Sequence, residues 1–184
     1  YFMSDKMVLY SSGAKLINRA DDEELFQIVD ELSHSAGIDP PKVAIMDSNV
    51  LNAFATGRNT KNSLIAVTTG LRKSLNMSEL RAVVAHEIAH IVNGDVKVLA
   101  IANFFVMLSS FLMQMFFWNM LFGGMGRNRD NGGGAGAIFM LYIVTMIVYF
   151  IGQLLVLALT RYREFGADYT GSNISGEPIE LASA

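Results

Sequence analysis

Hydrophobic and polar positions follow a helical period near the start of the chain and a strand-like pattern after it. Apolar residues at 3.6-residue spacing predict a helix with one buried stripe, formed by Leu25, Ile28, Val29 and Leu32. Asp21 or Asp22 can cap the start of this helix, and Gly37 marks its end. Short apolar runs then predict three strands, at Val43 to Met46, Asn52 to Thr56 and Ser63 to Thr69.

Two segments near these elements lack a regular pattern. The polar residues from Gly57 to Asn62 suit a hairpin loop between the second and third strands. Tyr1 to Ile17 shows no clean period, and we interpret it as a linker or a short amphipathic lead-in.

A second amphipathic helix is predicted from Glu79 to Val92. Ser78 stands at the N-cap position, and Asn93-Gly94 closes the helix. Its apolar positions have helical spacing, at Leu80, Val83, Val84, Ile88, Ile91 and Val92. The middle of this helix reads His86-Glu87-Ile88-Ala89-His90.

Two blocks without Asp, Glu, Lys or Arg follow, at Val98 to Phe122 and Ala137 to Thr160. They are 25 and 24 residues long. A helix of that length reaches about 36 Å, enough to cross a hydrocarbon core of about 30 Å. The segment between them, Gly123 to Gly136, is rich in glycine and carries Arg127, Arg129 and Asp130, so it predicts a flexible polar loop. We therefore predict a helical hairpin in a membrane.

A pair of buried core helices is the alternative for these two blocks. A chain of 184 residues offers too little other sequence to cover two helices that are apolar all round, which favours the membrane. Lys97, Arg161 and Arg163 flank the hairpin, but its loop also carries arginines, so charge gives only a weak indication of orientation.

Composition and charge exclude several classes of site. The chain has no cysteine, which leaves His, Glu and Asp as metal ligands. Its net charge of -3 provides no basic stripe, so we expect no nucleic-acid partner. The glycine-rich loop lacks the Gly-Lys-Ser/Thr ending of a phosphate-binding loop, so we expect no ATP dependence.

The His-Glu-x-x-His pattern of the second helix is typical of a zinc hydrolase. His86 and His90 lie four residues apart on one helical face and can bind one zinc ion. Glu87 is rotated by about 100° from His86, so it lies beside the ion, where it can take a proton from the attacking water and later deliver it to the leaving amine. The alternative is a chance placement of the three residues, which is rare.

A further ligand is predicted just after the second charge-free block, between Arg161 and Asp168. If the helix continues, Glu164 and Asp168 share a face, so one carboxylate can bind zinc and the other can accept the N–H of a ligating imidazole. A salt-bridged helix end, with arginines paired to these carboxylates, is a compatible alternative. Glu164 follows His90 by 74 residues, and a hairpin that crosses a membrane and returns would bring both motifs to the same side.

Three segments together resemble the HtpX-type membrane zinc proteases, which are related to the CaaX prenyl proteases. They are His86 to His90 with Asn93-Gly94-Asp95, Arg163 to Asp168, and Leu51 to Gly57. The resemblance covers roughly Tyr1 to Gly171. It implies that Glu164 is the third zinc ligand, that Asp168 supports a ligand, and that the site faces the cytoplasm. It also implies quality control of misfolded or damaged inner-membrane proteins in bacteria, induced by heat or envelope stress.

The family usually carries an N-terminal membrane hairpin before the point where this chain starts, and a longer soluble part after the Glu-x-x-x-Asp motif. Here 16 residues follow Asp168. We therefore expect the chain to be a piece of a longer protein, with any oxyanion-stabilising side chain from that region lying outside it.

Two segments near the metal motif keep two interpretations each. Asn52, Ala53 and Phe54 fit an edge strand on which an extended substrate lies, or a plain hairpin strand. Asp95 can support a metal ligand or can simply be a polar residue after a helix end.

We predict an α+β metalloprotease domain of the zincin-like (gluzincin) type, with a small β-sheet and an inserted two-helix transmembrane hairpin. Residues 1–97 form the soluble part, 98–160 the hairpin, and 161–184 the return to the catalytic part. The predicted activity is zinc-dependent endopeptidase, with one zinc ion, in the bacterial inner membrane. Its expected partners are the lipid bilayer and unfolded or membrane-protein substrates. The alternatives are a zinc-binding membrane scaffold without turnover, or a peptidase for prenylated or small peptides.

Overall fold

The computed structural model describes Leu9 and residues 11–122 and 133–176. Its described residues divide into two compact units. The first unit contains the chain up to Lys97 and the chain from Tyr162 onward, and the second runs from Val98 to Arg161. Each unit is described by itself.

The first unit contains a four-stranded mixed sheet. Its strands are β1 (Ala14–Leu16), β2 (Lys42–Met46), β3 (Ala53–Asn59) and β4 (Asn62–Thr68). Their order is β1-β2-β4-β3, with β2 parallel to β4 and the other neighbours antiparallel. The strand β3 therefore lies at one edge of the sheet, with its outer side unpaired by any described strand.

Helix α1 (Glu23–Ser35) and helix α3 (Met77–Asn93) build the core together with the sheet. The predicted stripe of α1 is confirmed, because its four apolar residues are buried. They meet buried side chains of the sheet and of α3, namely Val43, Ile65, Val67, Leu80, Val84 and Ile88. Asp22 is the N-cap of α1, and its side chain accepts the N–H of Leu25. The core thus fixes α3 against the sheet.

Helix α3 contains the predicted active-site helix, but its N-cap is Asn76 and the prediction of Ser78 is wrong. The Asn76 side chain accepts the Glu79 N–H, and the Glu79 carboxylate accepts the Asn76 N–H, at 3.0 and 2.9 Å. This reciprocal capping box satisfies two backbone donors, which Ser78 alone could not do. Gly94 ends the helix in the left-handed conformation, with φ of 69°.

Most of the segment from Gly57 to Asn62, which was predicted to be a loop, belongs to strands. Strand β3 continues to Asn59 through a register shift, and only Thr60 and Lys61 form the turn. Gly57 has φ of 152°, and a Cβ there would lie 2.4 Å from the Asn62 carbonyl oxygen, so only glycine fits.

Two short elements were not predicted. Strand β1 lies in the segment interpreted as a linker, because three residues are too few to show a period; residues 1–8 and 10 lie outside the described residues. Helix α2 (Thr69–Ser74) begins directly after β4, where the strand was predicted to include Thr69. The Thr68 hydroxyl starts this helix by accepting the Leu71 N–H at 3.2 Å.

Two long helices cover the charge-free blocks: α4 (Asp95–Phe122) and α5 (Gly133–Ser175). Both are long and apolar enough to span a membrane. In the most apolar stretch of 18 residues, only 6% of α4 and 0% of α5 is buried. The described residues therefore do not cover these two helices as a soluble core would. Residues 123–132 of the predicted loop, with Arg127, Arg129 and Asp130, lie outside the described residues, and Gly133 to Gly136 belong to α5.

Within the second unit the two helices contact each other in antiparallel order. The rings of Phe117 and Tyr142 lie 6.1 Å apart. Farther along, Gly152 lies so close to the Val106 side chain that an added Cβ would be 3.1 Å from it. The later residue of α5 meets the earlier residue of α4, as a hairpin requires.

Candidate metal centre

The two histidines of α3 direct the same ring nitrogen toward one point. His86 Nε2 and His90 Nε2 lie 3.1 Å apart, and the two rings are perpendicular. Both side chains are mostly buried, with 22% and 14% exposed. The four-residue spacing of the sequence thus produces the predicted common face.

Glu164 of α5 reaches the same point from the other side. Its Oε2 atom lies 3.6 Å from His86 Nε2 and 3.9 Å from His90 Nε2. Together they form a group of three possible ligands whose atoms all lie within 4.8 Å of one another. The structure therefore brings together residues that are 74 positions apart in sequence.

These three donors fit a zinc ion. Zinc bonds of about 2.0–2.2 Å in tetrahedral arrangement place donor atoms about 3.3–3.6 Å apart, close to the distances observed. Two imidazoles with one carboxylate are a donor set of catalytic zinc sites, which keep a fourth position for water. No fourth donor joins the group within the part of the chain that the structure describes.

Each imidazole also meets a carboxylate through its other ring nitrogen. Asp168 Oδ1 lies 2.9 Å from His86 Nδ1, and Asp95 Oδ2 lies 2.5 Å from His90 Nδ1. These acceptors favour the tautomer with the proton on Nδ1, which leaves the Nε2 lone pair free for a metal. Asp168 thus contacts His86, and Asp95 contacts His90 rather than only following a helix end.

The arginines after the second charge-free block do not form the salt-bridged helix end considered above. Arg163 lies with its Nε 3.2 Å from Asp95 Oδ2, and Asp168 is directed at His86. Arg161 is exposed. The acidic residues of this segment are therefore free to face the histidines.

Glu87 lies beside the three ligands and contacts the edge of the sheet. Its Oε2 accepts the backbone N–H of Ala55, on β3, at 2.7 Å. Burial raises the pKa of the Glu87 carboxyl above its ordinary value, while the His86 ring and the Ala55 N–H act in the opposite direction. A cation held by the three ligands would also lower this pKa. Sequence reasoning missed Ala55 as the partner, although it lies in the predicted strand.

The predicted substrate-binding residues lie at the start of the same edge strand. Asn52 precedes β3, donates its N–H to the Thr68 hydroxyl at 3.1 Å, and accepts the Thr68 N–H at 3.0 Å. Ala53 pairs with Val67, and Phe54 packs against a small cluster on the face opposite Ala53. Among the described residues, no hydrogen bond joins any of the three to the proposed metal ligands, so their role stays a prediction.

A cavity of about 130 Å³ lies next to His90, between β3 and the end of α3. Its walls include Gly57 of β3 and the aliphatic side chains of Val92 and Val96. Lys97 also lines it. The cavity is large enough for a single apolar side chain, not for a drug-sized ligand.

Small residues let α5 approach α3 closely enough to place Glu164. Ala167 is fully buried. A Cβ on Gly171 would lie 3.2 Å from the His86 backbone, so the backbones of the two helices pack closely there. Five residues earlier, a Cβ on Gly166 would lie at an ordinary 3.8 Å from Asn93. Close packing at Gly171 thus sets the position of both acidic residues relative to His86.

Comparisons with known proteins identify similar sequences. The sequence profile of Peptidase family M48 matches residues 19–183. The "Protease HtpX homolog" of Moorella thermoacetica is 44% identical over 185 residues, covering 100% of this chain and 60% of the relative. The "Protease HtpX homolog 2" of Methanosarcina mazei is 43% identical, covering 100% and 61%. The chain thus spans about 60% of the length of these relatives.

A solved structure shares the fold at lower sequence similarity. The crystal structure of S. mikatae Ste24p superposes with a TM-score of 0.60 at 21% identity, covering 95% of this chain and 43% of the other. The fold is therefore shared with a solved protein.

Proposed function

The chain belongs to peptidase family M48, and on that premise we propose that it forms the catalytic centre of a zinc-dependent endopeptidase. His86, His90 and Glu164 hold one zinc ion, and Glu87 acts as the general base. The observation that carries the proposal is the convergence of the two Nε2 atoms and Glu164 Oε2 within 4.8 Å, with Glu87 beside them.

Family membership implies a metal cofactor, and the donor set supports zinc. When bound, zinc acts as a Lewis acid that polarises the scissile carbonyl and lowers the pKa of water to about 7. Asp168 and Asp95 accept the Nδ1 protons and so keep both Nε2 lone pairs directed at the site. A closed site with four protein ligands would instead favour a scaffold without turnover; the three described donors support hydrolysis.

Glu87 moves the proton in this proposal. It removes a proton from the attacking water and then delivers it to the amine of the departing peptide. Burial raises the pKa of the Glu87 carboxyl, which strengthens it as a base, and a zinc ion held by the three ligands would oppose that shift. The Ala55 N–H holds the carboxylate in place.

The substrate lies along the open edge of β3 in an extended conformation. An edge strand offers unpaired backbone groups that can add a further strand, and β3 is such an edge directly beside Glu87. Asn52, Ala53 and Phe54 contact the substrate at the start of the strand. The cavity next to His90 accepts one of its apolar side chains.

The two apolar helices cross a membrane, and the metal centre lies close to its surface. Asp95 precedes the first charge-free block by three residues, and Glu164 follows the second by four. Even an extended chain of four residues spans at most about 14 Å. On the resemblance to the HtpX-type proteases, we propose that the substrates are unfolded or damaged membrane proteins, cleaved near the cytoplasmic face of the bacterial inner membrane, in quality control under heat or envelope stress. Neither ATP nor nucleic acid takes part.

Metal analysis of the detergent-solubilised full-length protein, paired with a casein cleavage assay, tests this function. We expect about one zinc per chain, loss of cleavage with a chelator, and recovery when zinc is added back. Cleavage that persists undiminished after complete zinc removal would exclude the mechanism. Stoichiometric zinc without cleavage of any unfolded protein would favour the scaffold instead.

A further inference from the structure

One carboxylate oxygen of Asp95 contacts both a proposed zinc ligand and an arginine. Asp95 is the first residue of α4 and is 4% exposed. Its Oδ2 atom lies 2.5 Å from His90 Nδ1 and 3.2 Å from Arg163 Nε. Since a buried carboxylate is stable only when its charge is compensated, the arginine explains how Asp95 can lie inside this part of the fold.

The Arg163 side chain is mostly buried, with only 14% of it exposed. Its Nε atom is fully buried and makes no well-angled hydrogen bond, so its contact with Asp95 is an ion pair without hydrogen-bond geometry. Among the described residues, Asp95 is its only carboxylate partner within 4 Å. Burying this charge has a cost that the pair must offset.

We propose that Arg163 is a positioning residue of the metal centre, acting on His90 through Asp95. Arg163 holds the Asp95 carboxylate against the His90 ring, and the ring in turn directs Nε2 at the zinc. Because Glu164 follows Arg163 directly on α5, the same ion pair sets the position of the third ligand relative to the first turn of α4. The inference rests on the proposed zinc site and adds the residues that orient it.

The two histidines are thereby oriented in different ways. His86 is oriented by Asp168, whose side chain is 54% exposed and has no recorded arginine partner among the described residues. His90 is oriented by Asp95, whose side chain is 6% exposed and is paired with Arg163. If the carboxylate is removed, water can take over part of the contact at the exposed Asp168, but it cannot reach the buried contact at Asp95. Loss of Asp95 should therefore weaken zinc binding more than loss of Asp168.

Zinc dissociation constants from chelator competition test the inference on the detergent-solubilised full-length protein. Residues that orient a ligand typically change metal affinity by 10- to 100-fold. We expect Asp95→Asn to weaken binding by about 30-fold and Arg163→Met by about tenfold. In the Asp95→Asn background, Arg163→Met should add less than about threefold, because its effect passes through Asp95. Arg161→Met, two residues away on the exposed surface, is the matched control and should stay within about twofold.

A second readout separates positioning from general stability. The visible spectrum of the cobalt-loaded protein reports metal geometry, and we expect it to shift in Asp95→Asn and Arg163→Met but not in Arg161→Met. Arg163→Lys keeps the charge and should recover part of the affinity, which also covers the case in which Arg163→Met does not fold.

Distinct results overturn distinct claims. Wild-type zinc affinity and spectrum in both Asp95→Asn and Arg163→Met would overturn the inference, even if thermal stability fell. Independent, fully additive losses would overturn the action through Asp95. A wild-type protein that binds no zinc would overturn the proposed function itself, and the inference with it.

Discussion

The backbone N–H of Ala55 donates a hydrogen bond of 2.7 Å to the Glu87 carboxylate. This contact ties the residue proposed as the general base to the edge strand proposed to bind the substrate. Both are held by the same core, because β3 pairs with the buried strand β4 and α3 packs against the sheet. The base and the substrate-binding edge are thus fixed relative to each other before any substrate arrives.

Substitution of Glu87 by Gln should abolish hydrolysis while zinc stays bound. A Gln oxygen can still accept the Ala55 N–H, so the local geometry is kept and only the exchangeable proton site is lost. We expect the cleavage rate to fall by at least about 100-fold, with zinc content measured on the same sample unchanged. His86→Ala is the control that should lose both. Substantial proteolysis by pure Glu87→Gln protein would refute the assignment.

Substitution of Glu164 by Gln should weaken zinc binding far more than substitution of Asp168 by Asn. The first removes a charged donor from the site, whereas the second only loosens the orientation of His86. We expect about tenfold weaker binding for Asp168→Asn and at least about 100-fold for Glu164→Gln. Chelator competition measures both. Equal affinities for Glu164→Gln and wild type would remove Glu164 from the ligand set.

Alanine substitutions at Gly166 and Gly171 should have opposite effects. Both glycines lie within α5, where alanine favours the helix by up to about 1 kcal/mol. At Gly166 the new Cβ meets only ordinary contact, so the thermal midpoint should rise. At Gly171 it meets the His86 backbone at 3.2 Å, so the gain should be lost and zinc affinity should fall. Identical behaviour of the two variants would contradict the close packing of α5 on α3.

The ion pair between Asp22 and Arg72 should make stability depend on acid pH. Arg72 contacts both carboxylate oxygens, at 2.7 and 3.1 Å, and this hydrogen bonding holds the pKa of Asp22 below its ordinary value. A lowered folded-state pKa stabilises the fold above the ordinary value of about 3.9, and this contribution disappears as the pH falls through the folded value.

Asp22→Asn is the matched variant for this prediction, because Asn still caps α1 but carries no charge. Thermal midpoints should differ between wild type and variant by a constant amount from pH 6 to 8, and the difference should shrink below about pH 4. A difference that does not change with pH would contradict the ion pair.

Local periodicity predicted the elements that carry the ligands, because helical spacing depends only on neighbouring residues. The stripe of α1, the helix with His86 and His90, and both long helices follow from such patterns. Strand β1 and helix α2 did not, since three and six residues are too short for a period. The cap at Asn76 was missed because Ser78 has an equally suitable side chain, and only the position of Glu79 decides between them.

The site was predictable where its residues belong to one motif, and not where distant segments meet. Glu164 and Asp168 were identified from their four-residue spacing and from resemblance to a family. The contacts of Asp95 with Arg163 and of Ala55 with Glu87 depend on how α5 and β3 pack against α3, which no local pattern specifies. The alternative in which Arg163 pairs with Glu164 or Asp168 is not observed, for the same reason.

The separation of 74 residues between His90 and Glu164 also determines when a metal centre can form during synthesis. Both charge-free blocks are translated before Glu164, the third proposed ligand, leaves the ribosome. A nascent chain therefore carries only the imidazole pair. The order of translation thus delays a complete set of the three proposed ligands until both charge-free blocks have been made.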